Sequence, residues 1–154
     1  MSRIDLDAVE YYSRQVVLKE LGKQGQDKLR DARAVVVGVG GIGSVSALYL
    51  ALAGVGELVV VDQDTVELHN LHRQILFAVQ DLRLPKAEVA AKRLMEVNPD
   101  IKALPMPDNL REANVEQIIR NADVVVDGLD NMRTRYVLNS ACSRLGIPLS
   151  LIHI

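Results

Sequence analysis

Cysteine is almost absent: Cys142 is the single one in 154 residues. An internal disulfide framework is therefore excluded, and the chain cannot build a thiolate zinc site by itself. That economy fits a reducing compartment, and the cytoplasm is the expected location. An excess of either charge is also missing, since 18 Lys and Arg stand against 20 Asp and Glu, for a net charge of -2. Mixed along the chain, these charges leave no electrostatic footprint for nucleic acid and no polybasic membrane anchor. The N-terminal stretch MSRIDLDAVEYY lacks a long apolar run, so it reads as neither a signal peptide nor a transmembrane helix. There is no internal repeat and no low-complexity segment. What is present is a composition 49% hydrophobic, enough for one globular domain over 1–154 that buries about 70% of its unfolded surface. Its expected partners are small molecules or proteins.

Residues 6–30 read as two helices, the first over 6–21 with Asp7 and Glu10 spaced as a capping pair, the second ending near Arg30 after LGKQG. From residue 34 onward strands and helices alternate. Strands are expected over 34–37, 57–61, 101–105 and 123–127, and helices over 42–53, 85–97, 111–121 and 131–145; the chain stops in what should be a further strand. Such alternation implies an α/β fold with a Rossmann-like, mostly parallel sheet. The runs AVVVG, LVVVD and DVVVD are continuously apolar, as strands are when helices cover both faces of their sheet. The segment QDTVELHNLHRQILFAVQDLRL is long for a βα connection, and loops of that length are often functional.

In VVVGVGGIGS, Gly38, Gly40 and Gly43 occupy the first, third and sixth positions of a dinucleotide fingerprint. Glycine there permits a tight turn and lets backbone N–H groups face a phosphate at a helix N-terminus. Asp62 ends the next strand about twenty residues on, where a ribose-binding acid is expected. No Lys-Ser or Lys-Thr pair follows the glycines, so this is not a P-loop. The choice between NAD and ATP turns on charge. Arg73 and Lys86 follow the ribose acid, and Asp127 and Asp130 end the last strand at the same sheet edge. A dinucleotide has two phosphate charges to neutralise, whereas a triphosphate has about four and uses Arg or Lys with a divalent metal. Magnesium typically takes one or two carboxylates and completes its shell with phosphates. This pattern favours ATP with magnesium at Asp130, and no adjacent acid–base pair is present to serve a hydride donor.

The segments YYSRQ, GVGGIGS, VDQDTVELHNLHRQ, PKAEVA, NP and DGLDNMRTRYVLN stand in the order and approximate spacing of the MoeB/ThiF family, bacterial relatives of ubiquitin-activating enzymes, and the chain resembles that family over nearly its whole length. The resemblance implies adenylation of the C-terminal glycine carboxylate of a ubiquitin-like sulfur carrier of the MoaD or ThiS kind, with release of pyrophosphate. It places the loop Gly38, Gly40, Gly41, Gly43 and Ser44 against the nucleotide and Asp62 on the ribose; a strand-end cap is the structural alternative for Asp62. Asp64 either assists the ribose or shapes the turn. Asn70, Arg73 and Gln74 match the phosphate-side loop. Lys86 matches the lysine that stabilises charge in the transition state, although alone it reads as an exposed residue in a first helical turn, where the helix dipole disfavours a cation. Asp130 matches the magnesium ligand and is equally placed to cap the next helix. Arg14 matches an arginine that reaches the triphosphate of a neighbouring subunit, which implies a homodimer; alone it reads as a solvated helix residue.

His69 and His72 read as polar loop residues, Arg133 and Arg135 as structural or rim residues, and Tyr11, Tyr12, Phe77 and Cys142 as packing. Complete members of the family continue for about another hundred residues, with two Cys-x-x-Cys pairs holding zinc. Those are absent from this sequence, so a fragment truncated relative to the family is the expectation. Three other functions compete: an adenylating dehydratase acting on a modified adenosine of tRNA, a non-catalytic partner subunit of an activating enzyme, and an NAD-dependent oxidoreductase.

Overall fold

The computed structural model of the chain describes residues 8–151. Five parallel strands form one sheet: β1 (Arg33–Val37), β2 (Glu57–Val61), β3 (Lys102–Met106), β4 (Val124–Asp127) and β5 (Leu149–Leu151), in the order β3-β2-β1-β4-β5. The helices are α1 (Ala8–Tyr11), α2 (Ser13–Val16), α3 (Gly22–Asp31), α4 (Gly41–Ala53), α5 (Lys86–Val97), α6 (Val115–Ile119) and α7 (Met132–Leu145). The α/β alternation expected from the sequence is present, and the last segment does form a strand, β5, beside β4.

The valine runs serve two cores at once. Ala34 and Val36 of β1 and Leu58 and Val60 of β2 pack against α4 and α5 through Ala47, Ala51, Ala90 and Leu94. Their neighbours Val35, Val37, Val59 and Val61 face the opposite way, against Ile118 and Ile119 of α6 and Leu138, Ala141 and Cys142 of α7. Side chains alternate across a strand, so a sheet covered on both faces needs apolar residues at every position. Each fully buried valine contributes about 1.5–3 kcal/mol relative to exposure. Cys142 lies in this second core, and burial pushes its thiol up, as its reading as a packing residue requires.

Three expectations change. The helix over 6–21 is interrupted: Tyr12 leaves the helical conformation (φ -95°, ψ 7°) and separates α1 from α2. Its hydroxyl accepts a hydrogen bond from Asn98 Nδ2 (2.7 Å), which also donates to the Ala51 carbonyl (2.7 Å), so a buried polar contact decides where the ring goes. Asp7, the proposed cap, lies outside the described residues. The helix over 111–121 shortens to α6, because Asn114 bonds back to residues 108, 109 and 111 and holds that stretch as a polar loop. Pro85 is the N-cap of α5 and not its first helical residue.

The N-terminal arm of α1 to α3 is joined to the rest by Leu29, which packs against the α4 and α5 core, by the buried Tyr12, and by polar contacts. Gln15 Nε2 donates to the Ala53 carbonyl at the end of α4 (2.7 Å), Gln26 Nε2 donates to the same carbonyl (3.1 Å), and Tyr11 Oη donates to the Val97 carbonyl (3.1 Å). α2 contains no buried residue, and in α3 only Gln26 is buried.

The sheet order reverses between β1 and β4, and there three stretches of backbone meet. Gly38 has φ +83°, and a Cβ at Gly43 would stand 1.8 Å from its carbonyl oxygen. A Cβ at Gly128, just past β4, would stand 2.4 Å from the same oxygen. Gly41, in contrast, would meet nothing closer than 3.8 Å. Gly43→Ala should therefore destabilise the fold by about 3 kcal/mol or more, the upper end for overpacking, while Gly41→Ala should change stability by about 0.5 kcal/mol or less. Urea denaturation followed by circular dichroism checks both, and equal midpoints for the two variants would contradict the packing described.

Candidate functional site

A cleft of about 940 Å³ opens at the carboxyl ends of β1, β2 and β4. Ligands of open α/β sheets bind at such a reversal point. Its floor is the turn from β1 into α4. The N-cap of α4 is Gly40, which has no side chain to cap the helix, and the first main-chain bond of the helix is from Ser44 N to the Gly40 carbonyl (3.0 Å). The N–H groups of the first turn have no partner within the helix and carry its positive end, a ready seat for an anion.

Gly38, Gly40 and Gly41 line the cleft. Gly43 and Ser44 do not. Gly43 is spent on the backbone crossing, and Ser44 is fully buried with its hydroxyl donating to the Gly41 carbonyl (3.1 Å).

One wall comes from β2 and the loop after it. Asp62 Oδ2 accepts from Val39 N (2.9 Å) and Oδ1 accepts from Asp64 N (2.9 Å), so its carboxylate ties the glycine turn to the end of β2. Burial pushes the Asp62 carboxyl above its ordinary range, against the pull of those two N–H groups and of Lys86. The strand-end cap is thus observed, and the carboxylate still lines the cleft.

The long connection after β2 is pinned at its base. Thr65 bridges Pro85, Val66 N donates to the Leu84 carbonyl (2.9 Å), and Arg83 N donates to the Val66 carbonyl (2.9 Å). Within it, Leu68–Asn70 and Val79–Asp81 form single 3-10 turns. Leu76 and Phe77 pack beneath the loop into the α4 and α5 core, as expected of Phe77.

This closure explains Lys86. The sequence alone suggested an exposed cation, yet its side chain is only 6% exposed, and Nζ meets Asp64 Oδ2 at 3.1 Å. Asp64 is therefore the carboxylate partner of Lys86, and it also shapes the turn, since Lys86 N donates to the Asp64 carbonyl (2.9 Å). Arg73 lies exposed at the cleft with Nη1 donating to the His69 carbonyl (2.9 Å). Asn70 is buried, and its Oδ1 accepts from Glu67 N (3.3 Å). Gln74 is buried at the cleft, and its Oε1 has no hydrogen-bond partner among the described residues. His69 pairs with Glu67 (3.1 Å) and His72 is exposed, consistent with polar loop residues.

The opposite wall is the turn from β4 into α7. Asp130 is exposed and lines the cleft. It is not the N-cap: Asn131 is, accepting from Thr134 N (2.9 Å). Asp127 is almost fully buried and sits 3.2 Å from Arg135 Nε. Arg135, read from sequence as structural or at the rim, is structural and also lines the cleft. Arg14 is exposed on α2 and does not line the cleft of its own chain.

Sequence reasoning missed one segment, residues 108–110 after β3. The N–H of Asn109, with the Arg111 guanidinium behind it, holds the Asp108 carboxyl below its ordinary range and fixes this loop. The available signal was its position, since ligands gather at the carboxyl ends of strands.

Among the described residues, no group of three or more His, Cys, Asp or Glu could hold a metal ion. One exposed carboxylate, Asp130, suits an ion that completes its shell with phosphates, as magnesium does. No described helix is long and apolar enough to cross a membrane.

The matching family model, ThiF family, covers residues 12–151. The chain is 45% identical over 146 residues to the SAMP-activating enzyme E1 of Haloferax volcanii, spanning 95% of this chain and 54% of that protein. It is 46% identical over 138 residues to the sulfur carrier protein ThiS adenylyltransferase of Escherichia coli, spanning 90% and 55%. It thus spans about half the length of these curated relatives. The crystal structure of the E. coli tRNA N6-threonylcarbamoyladenosine dehydratase TcdA in complex with ATP superposes with a TM-score of 0.89 at 32% identity, over 97% of this chain and 61% of that one. With the family model matched over residues 12–151 and relatives 45% and 46% identical, this chain belongs to the ThiF family.

Proposed function

We propose that this chain is the nucleotide-binding part of an ATP-dependent adenylyltransferase that activates the C-terminal glycine carboxylate of a ubiquitin-like sulfur carrier. The observation that carries this reading is the meeting, in one cleft, of the α4 N-terminus, the cations Arg73 and Lys86, and the unpaired carboxylate of Asp130. Two curated relatives whose names specify activation of SAMP or ThiS support the substrate class. In the reaction, a carrier carboxylate oxygen bonds to the α-phosphorus of ATP, the bond from that phosphorus to the bridging oxygen breaks, and pyrophosphate leaves with the electron pair.

Each residue has a proposed share in this. The glycine turn at Gly40 and Gly41 admits the phosphates to the helix N-terminus, with Asn70 and Gln74 on the phosphate-side loop. Asp62 accepts from the ribose hydroxyls while holding the turn. Lys86 and Arg73 offset charge as it grows on the phosphoryl oxygens and on pyrophosphate, the kind of stabilisation that matters most in a water-poor site. Asp130 would hold magnesium, whose contribution is to neutralise phosphate charge. The scarcity of cysteine, with Cys142 free and buried, fits a reducing compartment and so a cytoplasmic protein.

A homodimer completes the site in this reading. Ile42, Val45, Tyr49 and Leu52 form an exposed apolar stripe along α4. A two-fold axis across that stripe, with the paired helices antiparallel, sets the C-terminal end of one α4 beside the N-terminal end of the other. Gln15 fastens α2 to that C-terminal end, about 20 Å along the helix from its own glycine turn. Arg14 would then enter the partner's cleft. A second reading, adenylation of a carboxylate on a modified tRNA adenosine, is favoured by the likeness to TcdA and needs the same cleft with a different acid.

Three outcomes follow. Calorimetric titration should give tighter binding of magnesium-ATP than of NAD, and the reverse order would remove the adenylation reading. Lys86→Ala and Asp130→Ala should each reduce carrier-dependent ATP–pyrophosphate exchange about ten-fold to a thousand-fold, with folding retained; the assay uses a chain of the relatives' full length, and exchange driven by modified tRNA in place of the carrier would select the second reading. Arg14→Ala and Lys86→Ala should each be nearly inactive alone, whereas mixed dimers regain one intact site. Confirmed heterodimers without recovered exchange would place Arg14 outside the mechanism.

A further inference from the structure

The segment that presents Asp130 is short, and Asp130 itself makes no side-chain hydrogen bond or ion pair among the described residues. Everything around it is tied. Gly128 N donates to the Val37 carbonyl (2.8 Å), Leu129 N donates to Asp127 Oδ1 (2.9 Å), and Thr134 N donates to Asn131 Oδ1 (2.9 Å). Arg135 closes the arrangement. Long side chains in a helix lean toward its N-terminus. From the first turn of α7, the Arg135 guanidinium accordingly reaches back, Nη2 donating to the Leu129 carbonyl and Nε lying 3.2 Å from Asp127 Oδ2.

Asp127 is 1% exposed and Arg135 20%. A pair this sheltered is screened by solvent much less than a surface ion pair. A guanidinium faces a carboxylate and a carbonyl from separate nitrogens of one rigid plane, whereas a Lys ammonium is a point charge on a flexible stem.

We infer that Arg135 is a positioning residue: by bridging Asp127 and the Leu129 carbonyl it fixes the turn on which Asp130 is offered to a nucleotide-bound divalent cation. Magnesium tolerates little departure from octahedral geometry at about 2.0–2.1 Å. The one carboxylate that the protein supplies must therefore be placed before the ion arrives with its phosphates. Arg135 itself adds a cation to the cleft lining; Nη2 donates to the Leu129 carbonyl, and Nε is buried 3.2 Å from Asp127 Oδ2 as an ion pair, without a hydrogen bond among the described residues.

The inference rests on the proposed metal role of Asp130, and the experiment separates the two. ATP binding is measured by calorimetry in EDTA and then across a magnesium series, for the wild type, Arg135→Lys, Arg135→Gln and Asp130→Asn, each verified as folded by circular dichroism. Should Arg135→Gln not fold, Arg135→Lys carries the test, since it keeps the charge and loses the rigid planar fork. The expected result for both Arg135 variants is metal-free affinity within about two-fold of wild type, with the magnesium needed for half of the metal-dependent tightening raised about ten-fold, the lower end for loss of a group that orients a metal ligand. Asp130→Asn should lose most of the tightening. Wild-type magnesium dependence in the Arg135 variants would overturn the inference. So would equal weakening with and without magnesium, which would make Arg135 a direct contact of the nucleotide. If wild type and Asp130→Asn respond identically to magnesium, the metal reading of Asp130 fails and the inference with it.

Discussion

The carbonyl of Gly38 is the point on which the site depends. Its oxygen faces Gly43 on one side and Gly128 on the other, closer than any Cβ would allow. Because these contacts join the β1 turn, the start of α4 and the end of β4, the backbone sets the two sides of the cleft against each other. Atoms in contact at the limit of their radii resist further approach steeply, so a frame of this kind is stiff where hydrogen-bonded loops would yield.

Against that frame the charged groups are arranged in pairs of unlike burial. Lys86 is sheltered while its partner Asp64 has a side chain 59% exposed, and Asp127 is sheltered while Arg135 is partly open to the cleft. A buried charge needs a partner or it loses its ionisation. Each pair keeps a charge at the wall with little water around it, which strengthens its field on anything bound between them. Asp62 is half-buried, and two backbone N–H groups and nearby Lys86 work against the upward push of that burial.

Much of this was legible in the chain. Gly38, Gly40, Gly41 and Asp62 could be placed because the turn and the strand end are local, and the apolar runs announced a sheet buried on both faces. Contacts made across distance were not legible. The burial of Lys86 depends on Asp64, twenty-two residues earlier, and on the Thr65 and Pro85 bridge that brings them together. The sequence placed Asp130 to cap α7, but the backbone enters the helix one residue later and Asn131 takes that role. Arg135 was passed over because sequence spacing does not reveal that its guanidinium turns back toward the preceding strand. The break at Tyr12 has the same origin, a partner at Asn98 far along the chain.

The N-terminal arm has a thermodynamic character of its own. Amide and hydroxyl groups hold it to Ala53, Val97 and Asn98, with little apolar area beneath α2. Segments held in this way occupy the low end of a protein's local unfolding free energies, opening while the central sheet stays protected. Opening of α2 would be a local equilibrium, on which any neighbour that contacts the docked form would draw by mass action. The same few carbonyl contacts at the end of α4 that seat Gln15 thereby link the order of the arm to the concentration of whatever lies beside it.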